Sequence, residues 1–229
     1  MAQITNYATL ATAVQAYLGN NSVGVASGNL DYLLQEVEHE LNGKLRVRRM
    51  LTSVTPTVSA AGVVTLPTDF GGWKRFVVRD GSVEWDLDLL SAEESTEITT
   101  AYATAGRPKA LLTVGSTSQI WPFQTGYTYT ALYYARIPAL TSGAANWVIT
   151  AFPMVYLYGC LAAASGFIKD ITPAGQARFD IWQQRFRDAL RMIQAEDAKD
   201  VDARSRPSLS PDTSLFSGGG AYNVLTDGA

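Results

Sequence analysis

Apolar residues recur every three to four positions from the start of the chain. Tyr7, Leu10, Ala11, Val14, Tyr17 and Leu18 fall on one face of a helix. Asn6 or Thr5 is placed to cap its start. Gly19-Asn20-Asn21 is placed to stop it, because Gly and Asn accept the left-handed backbone of a helix end. A second stripe, Leu30, Leu33, Leu34, Val37, Leu41 and Leu45, predicts a second helix capped by Ser27 or Asn29. Asp31, Glu36, Glu38 and Glu40 lie off that stripe. The bases Lys44, Arg46, Arg48 and Arg49 come late, the order a helix dipole favours.

From about Leu51 the period changes to two. Leu51 to Val58 and Gly62 to Leu66 read as strands around a Ser59-Ala60-Ala61-Gly62 turn. Pro56 marks the first as an edge or bulged strand, since it cannot donate to a ladder. Leu66 to Phe70 is a turn, and Trp73 to Val78 and Val83 to Leu87 are further strands. Ser91-Ala-Glu-Glu predicts a helix start with an acidic first turn, running to about Tyr102. Ala110 to Val114, Gln119 to Trp121 and Tyr127 to Arg136 then read as a β-meander.

After Pro138 the helical pattern returns. Pro153 to Ile168 is apolar nearly all round and predicts the most buried helix. A last helix starts near Thr172-Pro173, with Phe179, Trp182, Phe186, Leu190 and Ile193 on its apolar face. The order of elements predicts an α+β fold. A helical core, residues 1–49 and 137–204, is interrupted by an antiparallel β-rich insert, residues 50–136. Residues 205–229 are rich in Ser, Pro, Gly and Asp and carry spaced apolar residues, Leu209, Leu215, Phe216, Tyr222, Val224 and Leu225. That pattern reads as an extended C-terminal arm that orders on a partner, or as a plain terminal tail.

Composition narrows the function. Charged residues are only 17% of the 229, which suggests a surface that largely faces other protein. A formal charge of −3 argues against a generic DNA coat, though not against a local contact. One cysteine, Cys160, excludes an intrachain disulfide framework. With a single histidine, His39, it also excludes the usual structural zinc patterns. The N-terminus shows no secretory signal, so synthesis in the cytoplasm is the expectation. Residues 137–168 carry no charge, but Pro138, Pro153, Gly143 and Asn146 break the run, and a buried core helix is the better reading than a membrane span.

No catalytic, metal or cofactor site stands out. His39, between Glu38 and Glu40, has no second histidine to make a metal pair. Cys160 sits in the most apolar helix, where a thiol stays protonated and inert. Glu93, Glu94 and Glu97 fit a helix N-terminal turn. Gly71-Gly72 and Gly218 to Gly220 lack the Gly-Lys-Ser/Thr of a phosphate loop. A non-enzyme is expected. The strongest charge feature is Lys44, Arg46, Arg48 and Arg49, more cations than helix capping needs. It could contact phosphate, bridge to an acidic neighbouring subunit, or cap the helix.

Several segments, in this order and spacing, resemble tailed-bacteriophage head–tail adaptor proteins. They are Ile4-Thr-Asn-Tyr-Ala-Thr-Leu10, Leu41-Asn-Gly-Lys-Leu-Arg-Val-Arg-Arg-Met50, Leu66-Pro-Thr-Asp-Phe70, Gly106-Arg-Pro-Lys109, Tyr133-Tyr-Ala-Arg-Ile-Pro-Ala-Leu140, Asn146-Trp147 and Tyr156-Leu-Tyr-Gly159, followed by the Arg178 to Arg191 helix. The likeness covers roughly residues 4 to 195. It implies a structural virion protein at the head–tail junction. Twelve copies would form a ring beneath the portal protein, continue the channel for double-stranded DNA without reading its sequence, and offer a platform to tail or nozzle proteins. It implies no membrane. The C-terminal arms of several such proteins reach the portal. The tail of this chain lies outside the likeness, but its spaced apolar residues Leu209, Leu215, Phe216, Tyr222 and Val224 are the expected anchors. The charge run Lys44, Arg46, Arg48 and Arg49 is expected to meet a neighbouring subunit or the portal. One alternative is a peripheral membrane protein using the uncharged stretch 137–168. Two others remain at this point. One is a hexameric tail-completion or tail-tube protein. The other is a carbohydrate-binding module using Trp121, Tyr127, Tyr129, Tyr133 and Tyr134, although aromatics at period two more often form sheet core.

Overall fold

Asn6 starts the first helix. The computed structural model describes residues 3–19, 29–90, 93–94, 106–165 and 172–205. The Asn6 side chain accepts from the Thr9 N–H at 3.0 Å, and the Thr9 hydroxyl accepts from the Asn6 N–H at 3.1 Å. This reciprocal box satisfies donors that a helix start leaves orphaned. Helix α1 runs Tyr7–Leu18 and ends on Gly19 at φ 58°, a left-handed backbone that glycine adopts without strain. Leu10, Val14 and Leu18 are buried. Tyr17 shares their period but is 49% exposed.

Helix α2, Asn29–Lys44, buries Leu30, Leu33, Leu34, Val37 and Leu41. Leu45, one residue past its end, is also fully buried. The predicted stripe is therefore the core face of this element. Helices α3, Trp147–Ala151, and α4, Pro153–Ser165, follow the β region and are separated by Phe152. Helix α5, Pro173–Ser205, packs Trp182, Phe186, Ala189, Leu190 and Ile193 onto the others; Phe179, expected on that face, is half-buried. The five α-helices among the described residues all contribute to one hydrophobic cluster. Over residues 137–165 the uncharged stretch thus holds a loop and two short helices, and no described helix is long and apolar enough to cross a membrane.

Between α2 and α3 the described residues form eight strands in two four-stranded sheets. The first has the order β1 (Leu51–Val54), β8 (Thr128–Ala135), β3 (Phe70–Asp80), β4 (Val83–Asp86), all antiparallel. The second has the order β2 (Val63–Val64), β7 (Thr117–Trp121), β6 (Ala110–Val114), β5 (Asp88–Leu90). Phe76, Val78, Tyr129 and Ala131 of the first sheet meet Val64, Leu87, Leu111 and Ile120 to form a second hydrophobic cluster.

Several expectations are corrected here. The expected meander is split: β6 and β7 pair with each other, whereas β8 joins the other sheet between β1 and β3. Alternation alone identifies a strand but not its partner. The insert is not wholly antiparallel, because β5 runs parallel to β6. At Leu87 the chain leaves the first sheet for the second: the Leu87 N–H still donates to Phe76 O at 2.8 Å, but the Asp88 N–H donates to Lys109 O at 2.9 Å. The first strand stops at Val54, ahead of Pro56, and only Val58 makes a bridge beyond it, to Val64. The helix expected from Ser91 to Tyr102 lies largely outside the described residues, as do the arm residues Leu209, Leu215, Phe216, Tyr222 and Val224.

Candidate functional site

The basic run lies where α2 hands over to β1. Lys44 forms an ion pair with Glu40, one turn earlier on α2. Arg46 turns back on the helix end, its Nη1 donating to Asn42 O at 2.7 Å and Leu45 O at 2.6 Å. Carbonyls there lack helical partners, so this is side-chain capping. The next two arginines reach α5 instead. The Arg48 backbone N–H donates to Asp197 Oδ1 at 2.9 Å, and its Nη2 donates to Asp197 O at 3.3 Å. Arg49 Nη2 donates to Glu196 Oε1 at 3.3 Å, while its guanidinium stands 5.7 Å from the ring centres of both Trp147 and Phe152.

The run therefore divides its work within the chain. Two cations serve the end of α2, and two join the start of the β region to the far part of α5. The acids Glu196 and Asp197 on the last helix were the sequence signal for this pairing. Lys44, Arg46 and Arg49 are still at the surface. Such exposed pairs contribute about 0–1 kcal/mol each. Arg48 is better placed, because its backbone N–H is bonded too. Arg48→Glu is expected to lower the melting temperature, and a paired Asp197→Arg to recover part of the loss. Lys44→Glu should leave it nearly unchanged. Thermal unfolding of the four proteins checks this, and equal melting temperatures would contradict the assignment.

A buried polar node lies deeper, and sequence reasoning did not assemble it. Asn146 caps α3 by accepting from the Val148 and Ile149 N–H groups, each at 3.1 Å. Its Nδ2 donates to Pro138 O and to the Tyr156 hydroxyl, both at 2.7 Å. Tyr156 donates in turn to Glu38 Oε1 at 3.2 Å, which also accepts from the Leu140 N–H at 2.6 Å. Asn42 Oδ1 accepts from the Ile137 N–H at 2.8 Å. Through these bonds the chain returning from the β region is pinned onto α2 and α4. An Asn just before an apolar helical run was the legible part of this node.

Burial pushes the Glu38 carboxyl above its ordinary value of 4.5, against the opposing pull of the Leu140 and Tyr156 hydrogen bonds. The folded chain then holds that proton more readily than the unfolded one. The resulting stability is fully present below pH 4.5 and is lost as pH rises through the raised folded value. Glu38→Gln is expected to flatten the stability–pH profile above pH 4.5, read by chemical unfolding across a pH series. An unchanged slope would show that Glu38 does not control it.

The remaining candidates carry no such geometry. Cys160 is fully buried, and burial pushes its thiol up, so the reactive thiolate is disfavoured. His39 is exposed on α2. No group of acids, histidines and cysteines among the described residues could hold a metal ion. Glu97 lies outside the described residues, while Glu93 and Glu94 sit in a turn. Of the aromatic series, Tyr129 and Tyr133 are core, at 7% and 4% exposure, and Tyr133 donates to Asp69 Oδ1 at 2.9 Å. Trp121, Tyr127 and Tyr134 are half-buried. These rings do not make the open platform that stacking on a sugar requires.

A family model described as SU10 adaptor protein matches residues 5–211. The match spans the helical elements and both sheets, and it runs past α5 into the start of the C-terminal segment. No curated protein matches the chain.

Proposed function

Because the chain belongs to the SU10 adaptor protein family and is a phage adaptor, we propose that twelve copies form a ring joining the portal to the tail. The ring continues the DNA channel and has no catalytic role. The observation that carries this reading is the family match over residues 5–211, most of the chain. Composition supports it. A subunit with charged residues at only 17% suits two large side interfaces, each contacting a different face of its neighbour around a closed ring. A net charge of −3 suits a channel wall that must release DNA, because neutralising phosphates would hold it.

Within this reading the helical part forms the ring body and the β region faces the tail. Residues 205–229 bind the portal, with Leu209, Leu215, Phe216, Tyr222 and Val224 as apolar anchors. Lys44, Arg46, Arg48 and Arg49 sit at the rim of a subunit or portal contact, in addition to their partners within the chain. Removing residues 206–229 is expected to abolish capture of the portal while leaving the melting temperature nearly unchanged. Co-purification with portal protein checks this. Undiminished capture by the shortened chain would sink the arm assignment.

A further inference from the structure

The β region is closed along one side and open along the other. On the closed side β4 runs through Leu87 directly into β5, so one stretch of chain serves both sheets. On the opposite side β2 pairs with β7 and not with β1 or β8, which leaves a seam between the sheets. A cleft of about 430 Å³ occupies that seam, between residues 55–60 and residues 123–129.

Three observations describe what would fit there. No charged side chain lines the cleft; its walls are Pro56, Val58, Phe123 and Tyr127 among hydroxyl, amide and small residues. Tyr129 also lines it, is 7% exposed, and has a buried hydroxyl with no hydrogen-bond partner among the described residues. Such a group is costly to leave unmet, because it has given up water and gained nothing. Finally, the Thr65 N–H donates to Thr57 O at 2.9 Å and the Ser59 N–H donates to Val63 O at 2.8 Å. In that register the N–H and C=O of Val58, between them, point away from β2. They make no hydrogen bond among the described residues.

We propose that this seam binds an extended, uncharged peptide segment presented by the tail component that stacks on the adaptor. The proposal rests on the adaptor reading above and gives its tail-facing contact a chemistry. The segment's backbone pairs with the N–H and C=O of Val58, as in the addition of a short strand to an edge. One of its carbonyls accepts from the Tyr129 hydroxyl. An apolar side chain fills the space beside Pro56 and Phe123. A charged segment would lose its hydration with no opposite charge to meet. A saccharide fits less well, since Tyr129 is buried and Phe123 and Tyr127 are half-buried, leaving no open ring face.

The test probes the full-length chain with synthetic decapeptides tiling the other virion proteins of the same particle, together with peptides from residues 206–229. Saturable binding of uncharged tail-component peptides is expected. Thr125→Arg, at the exposed rim of the cleft, should abolish it. Tyr129→Phe should weaken it about tenfold while raising the melting temperature by about 2–4 °C, because the unmet hydroxyl is gone. Binding of no peptide, preference for charged peptides, or binding of only the 206–229 peptides would overturn the proposal. So would equal affinity of the wild-type and Thr125→Arg chains. Portal capture by the same proteins is measured alongside. Its failure in the wild-type chain would count against the ring reading, whereas normal capture with an inert seam would count against this inference alone.

Discussion

Replacing Tyr156 by Ala is expected to remove a large share of the chain's folding stability. The ring of Tyr156 is fully buried in the helical core. Truncating a large buried aromatic costs about 3–5 kcal/mol through lost burial and the cavity left behind. Whole domains are stable by only about 5–15 kcal/mol. The hydroxyl adds to the loss, since buried Asn146 and half-buried Glu38 would each surrender a partner. Tyr156→Phe separates the two parts. It keeps the ring and should cost about 1–2 kcal/mol, the share of the hydrogen bonds. Urea unfolding of both variants reads the difference. Equal midpoints for Ala and Phe would mean that the ring's burial is not what holds α4 in place.

The second large effect is expected at Gly159. A Cβ built there would lie 2.8 and 2.9 Å from the two Cγ atoms of Val37 and 3.1 Å from Cε2 of Phe186. Helix α4 therefore meets α2 and α5 at a point where only hydrogen fits. Val37 is 2% exposed and Phe186 is 5% exposed, so neither has solvent to retreat into. Gly159→Val adds a branched side chain to this contact and should cost about 3 kcal/mol or more. Gly159→Ala gains up to about 1 kcal/mol of helix propensity but still forces the helices apart. A net loss of about 1–2 kcal/mol is expected for it. Thermal unfolding decides the sign, and an alanine variant more stable than the wild type would refute the close approach. Neither this pair nor the Tyr156 pair reports on assembly directly. They test the helical core on which the ring reading places its body.

What the sequence disclosed depended on whether the signal was local. The α2 stripe from Leu30 to Leu45 needed only the helical period, and every member is buried. The Asn6 cap and the Gly19 stop are likewise properties of a few neighbouring residues. The alternation of Tyr129, Ala131 and Tyr133 in β8 identified a strand with a buried face. It could not say that β8 pairs with β1 and β3 and leaves β7 to the other sheet, because partner choice depends on which sheet buries that face. The short β5 was missed: three residues, Asp88–Leu90, carry too little pattern to be seen before the parallel β6 is in place.

The candidate site shows the same division. Four cations in six positions were visible, but their division between the α2 end and the acids of α5 joins residues far apart in the chain. Gly159 read only as the last residue of the Tyr156-Leu-Tyr-Gly159 segment, because a glycine's close contact has no meaning until Val37 and Phe186 face it. Glu38 read as one polar residue off an apolar stripe, and its link to Tyr156 and Asn146 exists only once α2, α3 and α4 are packed. The family resemblance was legible for a different reason. It rested on the order of short segments along the chain, and the family match covers residues 5–211.

The measurement that bears most directly on the central claim is the mass and subunit ratio of the particle formed when the full chain is co-produced with its portal protein. Twelve copies of the 24.7 kDa chain weigh about 296 kDa. The account predicts a ring of that mass bound to portal at one copy per copy. A sixfold ring bound to a tail component and never to portal would contradict it.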